Sequence, residues 1–275
     1  MADMSTIPLS SARAWDLAAE GYAAYSGELM SGFAERALEL VEVRAGDRVL
    51  DLASGPGALS LLAAPRAAEV HAVDFSERML RVLRERAVTA GLANIGTHLG
   101  DGQRLPYADG YFDAAFSMFG LMFFPDRRRG FAEMFRVLRP GGVAVVSSWA
   151  PVVESTLMRT MYGALCATGA IDEEPQPVYS SLENPEVFAG EMREAGFAGV
   201  AIMRHTRTLS WPSAEDLLDH MLVGSAPMTL LRHDLGEQRW RDCEATMLAH
   251  LERHYRPNAP LTATALIGIG HRPRP

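Results

Sequence analysis

The chain contains no lysine; all 26 of its basic residues are arginine. Without lysine, no Schiff base can form on a side chain and no Walker A phosphate loop can exist. Pyridoxal-phosphate enzymes and P-loop nucleoside triphosphatases are therefore excluded. Cysteine is scarce: Cys166 and Cys243 stand far apart, outside any C-x-x-C. Two buried thiols in a reducing compartment are expected. No C-x-x-C spacing occurs, and no metal is expected. No run approaches the roughly 18 apolar residues of a membrane-spanning helix. The opening MADMSTIPLSSARA carries an acid and no apolar core, unlike a signal peptide. A cytoplasmic protein without membrane insertion is the expectation. Positive charge is also short: the net charge is −8 over 275 residues. General attraction to phosphate backbones is then absent, and no nucleic-acid partner is expected. The one dense basic run, DRRRG (Asp126–Gly130), reads as a solvated helix face.

What the chain does have is alternation. Between Gly46 and Trp149, short apolar runs (DRVLDLA, EVHAVD, NIGTHLG, YFDAAFSM, GVAVVSSW) alternate with helical stretches. In SERMLRVLRERAVTAG, Ser76 is a cap, Met79, Leu80, Leu83 and Ala87 form the apolar face, and Gly91 ends the helix. Asp126 is a good cap for the next helix, which Arg139-Pro140-Gly141 stops. Strand and helix in alternation predict an α/β fold with helices on both faces of a parallel sheet. Residues 1–45 read as two helices forming an N-terminal cover. Residues 46–275 read as the main domain, with cover insertions at about 151–180 and 211–257. Such cover belongs over the carboxyl edge of the sheet, where open α/β sheets bind ligands.

The stretch VLDLASGPGALS places a glycine-rich turn after the first strand, at the start of a helix. Many folds hold a nucleotide there. Asp74 ends the second strand, where a carboxylate can accept hydrogen bonds from both ribose hydroxyls. Nicotinamide dehydrogenases use the same device, so these two features specify an adenosine ligand but not which one. Two differences from a dinucleotide fingerprint are Asp51, an acid beside the turn that suits an ammonium, and Ser60 in place of Gly or Ala. In GDGQRLPY, Asp101 can accept from an adenine amino group.

In the order and spacing of VLDLASGPG, VDFSERML, GDGQRLPY and RVLRPGG, the sequence resembles the class I S-adenosylmethionine-dependent methyltransferases. It is most similar to the small-molecule branch that includes the ubiquinone and menaquinone C-methyltransferases. The resemblance is close over residues 12–150 and holds in outline beyond; Ala53 stands where the family often has a glycine. It implies a three-layer Rossmann-like sheet of seven mostly parallel strands with an antiparallel last strand, TATALIGIGHR, plus a helical cover. It implies S-adenosylmethionine as cofactor. Backbone at Ala53, Gly55 and Gly57 would approach its methionine part and ribose. Asp51 would lie near the amino group and Asp74 on the ribose hydroxyls. Phe75 and Met79 would pack on adenine, and Asp101, Gly102 and Gln103 would read its edge. Ser117 and Met118 would line the sulfonium side, with Tyr22 reaching down from the cover. Met79 equally fits the core stripe of its helix, and Tyr22 equally fits an ordinary amphipathic helix.

The acceptor half carries no motif. MFGLMFF (Met118–Phe124) is aromatic and methionine-rich where a loop should be polar. It reads as a greasy acceptor pocket or as a buried turn. The expected pocket residues are Phe119, Met122, Phe123, Trp149 and His254. His220 is the candidate base. His71 and His98 read as satisfied core groups within strands. No N/D-P-P-Y follows the fourth strand and Ser117 replaces a metal-binding acid, so neither amino-methylation of nucleic acid nor catechol-type metal chemistry is expected. The expected reaction is methyl transfer to an oxygen or carbon of a small apolar metabolite, of the natural-product kind. Cyclisation guided by the bound sulfonium, or a non-catalytic partner protein, are the alternatives, with a nicotinamide dehydrogenase ranking last. A homodimer is compatible with the sequence.

Overall fold

The computed structural model describes residues 7–25, 27–171 and 181–274. Its strands are β1 (Arg48–Leu52), β2 (Glu69–Asp74), β3 (Ile95–Leu99), β4 (Phe112–Met118), β5 (Leu138–Trp149), β6 (Ala198–Leu209) and β7 (Leu261–His271). They form one seven-stranded sheet in the order β3-β2-β1-β4-β5-β7-β6. β1 pairs in parallel with β2 on one side and β4 on the other. β7 runs antiparallel to both of its neighbours. The chain therefore moves outward from β1 in one direction, then returns to lay β4 on its other side. A crevice opens at the carboxyl ends of β1 and β4, the switch point of such sheets.

Strand periodicity assigns the two faces. Leu50, Leu52 and Ala115 face α5 (Arg127–Val137) and α7 (Pro185–Glu194), where Phe131, Met134, Phe188 and Met192 are buried. Val49, Ala114 and Phe116 face α2 (Gly27–Glu39) and α3 (Ala58–Ala63). A third apolar cluster joins α2 to α6 (Thr156–Ala167), α8 (Ala214–Val223) and α9 (Ala226–His254). α1 (Ala12–Tyr25) lies against α4 (Glu77–Thr89) through Ala19, Met79 and Val82.

Helix starts follow side-chain capping. Ser76 accepts from the Met79 amide, Asp126 from Arg129 and Asn184 from Glu186. α9 runs for 29 residues, and Gly236 (φ 74°) breaks its φ/ψ run. Three sequence expectations change. His98 is exposed, because β3 is an edge strand with one neighbour. Cys166 and Cys243 are half-buried and not joined in a disulfide, rather than core thiols. Arg127 is not on a solvated face: its Nη2 meets Glu191 at 2.7 Å, and Glu191 is buried. Of the expected cover segment 151–180, residues 172–180 lie outside the described ones.

Candidate cofactor cleft and adjoining cavity

The turn after β1 is made by backbone. Ala53, Gly55 and Gly57 all have positive φ (55°, 53° and 86°), which coils the chain tightly before α3. Alanine tolerates this conformation at a cost of roughly 1–2 kcal/mol. At Gly57 any side chain would overlap Leu83 of α4, so close packing as well as φ requires glycine. α4 grips the turn a second time, through Arg86 Nη1 donating to the Pro56 carbonyl at 2.7 Å.

Two buried carboxyls flank this turn. Asp74 accepts from the Gly55 amide (2.8 Å) on Oδ2 and from the Ser76 amide (2.9 Å) on Oδ1. Burial outweighs these bonds and pushes its carboxyl up to about 6, with Asp16 adding to the shift. Asp51 accepts from both the amide and the hydroxyl of Ser60, at 3.0 and 2.6 Å, on one oxygen. Burial pushes Asp51 up to about 7. The Ser60 departure thus has a structural reason: its hydroxyl completes the shell of a buried acid.

These groups line a cleft of about 400 Å³. Tyr22, Asp51, Ala53, Gly55 and Asp74 meet there with Phe75, Met79, Asp101, Gln103 and Met118. Gln103 is fixed by Asp101, which accepts its Nε2 at 2.9 Å, and by the Asp126 amide, which donates to its Oε1 at 3.0 Å. Three expected residues do not reach the cleft. Gly57 lies behind the turn against Leu83. Gly102 is a packing glycine, with no room for a methyl between Phe124 and Leu52. Ser117 is fully buried, and its hydroxyl has no hydrogen-bond partner. The strand repeat gives the cleft Met118 and turns Ser117 away.

A smaller cavity of about 140 Å³ adjoins the cleft, and Trp15, Tyr22, Met30, Phe119 and Phe123 line both. Trp149 and His220 line the smaller one, as do Leu157, Met158, Met161 and Tyr162 of α6. Phe119 and Trp149 lie ring to ring at 4.3 Å. Trp15 packs edge-on against Tyr22 (5.9 Å) and Phe123 (5.2 Å). Met122 is not in this cavity; it packs into the core, with Ser148 Oγ 3.9 Å from its sulfur. His254 is also elsewhere, exposed at the end of α9 with its ring 4.4 Å from His250. MFGLMFF is therefore part pocket and part buried turn, since Leu121 is wholly buried. Burial raises Tyr22 and Tyr162 and lowers His220, so near neutrality each is uncharged.

Trp15, Met30 and the α6 face do not stand out in the sequence. Trp15 lies seven residues before Tyr22, two helical turns away on the same face. Met158, Met161 and Tyr162 have i, i+3, i+4 spacing. Those two patterns were the available signal.

Sheet order, switch point and cleft together define a Rossmann-like methyltransferase fold. It is shared with the YcgJ protein of Bacillus subtilis: TM-score 0.58 over 90% of this chain and 100% of that one, at 17% identity. Residues 49–142 match the Methyltransferase domain family. The chain is 37% identical over 147 residues to an uncharacterized protein of Mycobacterium tuberculosis, covering 54% of this chain and 51% of that one. It is 41% identical over 118 residues to the demethylmenaquinone methyltransferase of Thermus thermophilus, covering 42% and 53%. The chain thus spans about half the length of the curated relatives it matches. Over residues 49–142 the chain is similar to methyltransferase domains, that of a demethylmenaquinone methyltransferase among them. No helix among the described residues is long and apolar enough to cross a membrane.

Proposed function

We propose that this protein transfers a methyl group from S-adenosylmethionine to an oxygen or carbon of a small, largely apolar metabolite. The observation that carries this reading is the pairing of the acid-lined cleft with an adjoining aromatic cavity. The donor set fits the cofactor. Asp74 offers carboxylate oxygens to the ribose hydroxyls, and Asp51 a buried negative charge toward the ammonium. Phe75 and Met79 provide an apolar wall for adenine, and Asp101 and Gln103 its polar edge. Backbone at Ala53 and Gly55 is free to approach closely, and above Gly55 there is open space.

The cofactor supplies a methyl group already activated by its positive sulfur. The protein's task is then alignment and drying. Holding the two reactants in attack geometry is worth roughly 7–11 kcal/mol. Phe119 and Phe123, which line both cavities, stand where the two ligands would meet. Trp15 and Tyr22 of α1 close the same junction from above and keep water out. In this reading residues 1–45 are an N-terminal cover on a methyltransferase domain, 46–275, whose own cover segments build the acceptor side.

The test is incubation with labelled S-adenosylmethionine and a panel of apolar alcohols, phenols and carbon acids. A methylated product with S-adenosylhomocysteine is expected. Tight cofactor binding with no methylation across the panel would refute the proposal.

A further inference from the structure

We propose that the smaller cavity seats a single aromatic ring bearing a hydroxyl, and that His220 accepts the hydroxyl proton as oxygen is methylated. This rests on the methyl transfer proposed above and adds the substrate class and the base.

The size argument is direct. The cavity measures about 140 Å³. An apolar protein cavity of about 150 Å³ stays dry and takes up one benzene. The walls suit a flat ring: Trp15, Trp149, Phe119 and Phe123 present aromatic surfaces, and Met158 and Met161 supply polarisable sulfur. Larger substituents on the ring would extend toward the shared mouth at Tyr22 and Met30.

The chemical argument concerns what is polar there. The ionisable groups on the cavity wall are His220, Tyr22 and Tyr162; the carboxyls Asp51 and Asp74 line the other cleft. Among the described residues no hydrogen bond reaches either ring nitrogen of His220, whose ring instead rests 4.9 Å from Trp211. Tyr22 from α1 and Tyr162 from α6 share its cavity wall, and the charge of Glu28 from α2 acts on it; Ser225 and Pro227 lead into α9. Both phenols hold their protons and the imidazole is neutral, so His220 is the group able to accept one. In the step, a lone pair on the hydroxyl oxygen forms the new O–C bond. The carbon–sulfur bond breaks, its electron pair stays on sulfur, and the hydroxyl proton passes to His220 and then to water. Sulfur loses its positive charge and one proton is released, which balances the reaction.

The full chain, labelled with ¹⁵N-histidine, is titrated with phenol and, separately, with toluene, which matches its shape but has no hydroxyl proton. Phenol should bind roughly 5- to 10-fold more tightly, the worth of one hydrogen bond. Phenol alone should shift a ring nitrogen of His220. His220→Leu should bind the two alike. His220→Gln can still accept a hydrogen bond but cannot take the proton. Its kcat for a phenolic acceptor should fall on the order of 10²–10⁴-fold with KM nearly unchanged. Equal binding of phenol and toluene by the unaltered protein, or no shift at His220, overturns the proposal. Full-rate methylation by His220→Gln also overturns it while leaving methyl transfer intact. Phenol binding with the His220 shift, but no methylation of any acceptor, supports the seat and refutes the transfer it was assigned to.

Discussion

The cleft at the ends of β1 and β2 and the cavity beneath α6 and α8 touch, yet they are built by opposite means. The acidic end of the cleft is set by main chain: a turn with three residues of positive φ and two acids held by amides within a short span. The cavity is mostly side chain, gathered from α1, α2, the loop after β4, the end of β5, α6, α8 and the start of α9. A backbone device tolerates few sequences, because only certain residues adopt its dihedrals. A side-chain wall tolerates many, because any apolar group of suitable volume will serve. One region can therefore bind a fixed ligand while the other changes substrate.

The sharpest way to break this comparison is to fill the cavity alone. Met161→Trp should lower kcat/KM for the acceptor by about 100-fold or more while S-adenosylmethionine affinity, measured by calorimetry, stays within about twofold. A matching loss of cofactor affinity would mean the two spaces are one site. The converse change, Asp74→Asn, should weaken cofactor binding by roughly 1.5–3 kcal/mol through loss of a charged hydrogen-bond acceptor. Binding of an apolar phenol to the cofactor-free protein should be unaffected. Gly120→Ala strikes the contact between the two regions, since a methyl there would overlap the Cβ of Ala53. It should cost about 1–3 kcal/mol in chemical denaturation, and Ala53→Gly in the same chain should restore part of that.

The smallest expected effect is on pH. Asp51 and Asp74 titrate at about 7 and about 6 in the fold, against a reference value of 3.8. The folded state therefore holds these protons more tightly than the unfolded chain. Their contribution favours the cofactor-free fold below pH 4 and is lost as pH rises through 6 and 7. A cationic ligand prefers the ionised acids, so cofactor affinity should rise roughly 3- to 10-fold over that same window, with protons released on binding. Affinity independent of pH between 5.5 and 8 would show that neither acid meets the cation.

The same contrast explains what could be read in advance. The alternating strands and the helix caps follow from period, capping residues and turn chemistry, all local in sequence, whereas the antiparallel β7 was expected only through the family resemblance. Asp51, Ala53, Gly55 and Asp74 come together because the turn and strand ends fix them. The errors arise where one residue's direction decides. Ser117 and Met118 are neighbours on β4, and alternation gives the cleft one and buries the other. His220 and His254 both lie on cover helices, but only His220 faces inward, and the turn of a helix tens of residues from any motif leaves no local trace. Trp15 and the α6 methionines were illegible for the same reason: their role depends on tertiary placement.

The fit between Ala53 and Gly120 bears on how such a protein can change over time. Bulk at one position forbids bulk at the other, although the two stand on separate crossovers of the sheet. Neither can be enlarged first without loss, so new variants of the two turns must arrive in a set order. Ala53 must shrink before Gly120 can grow.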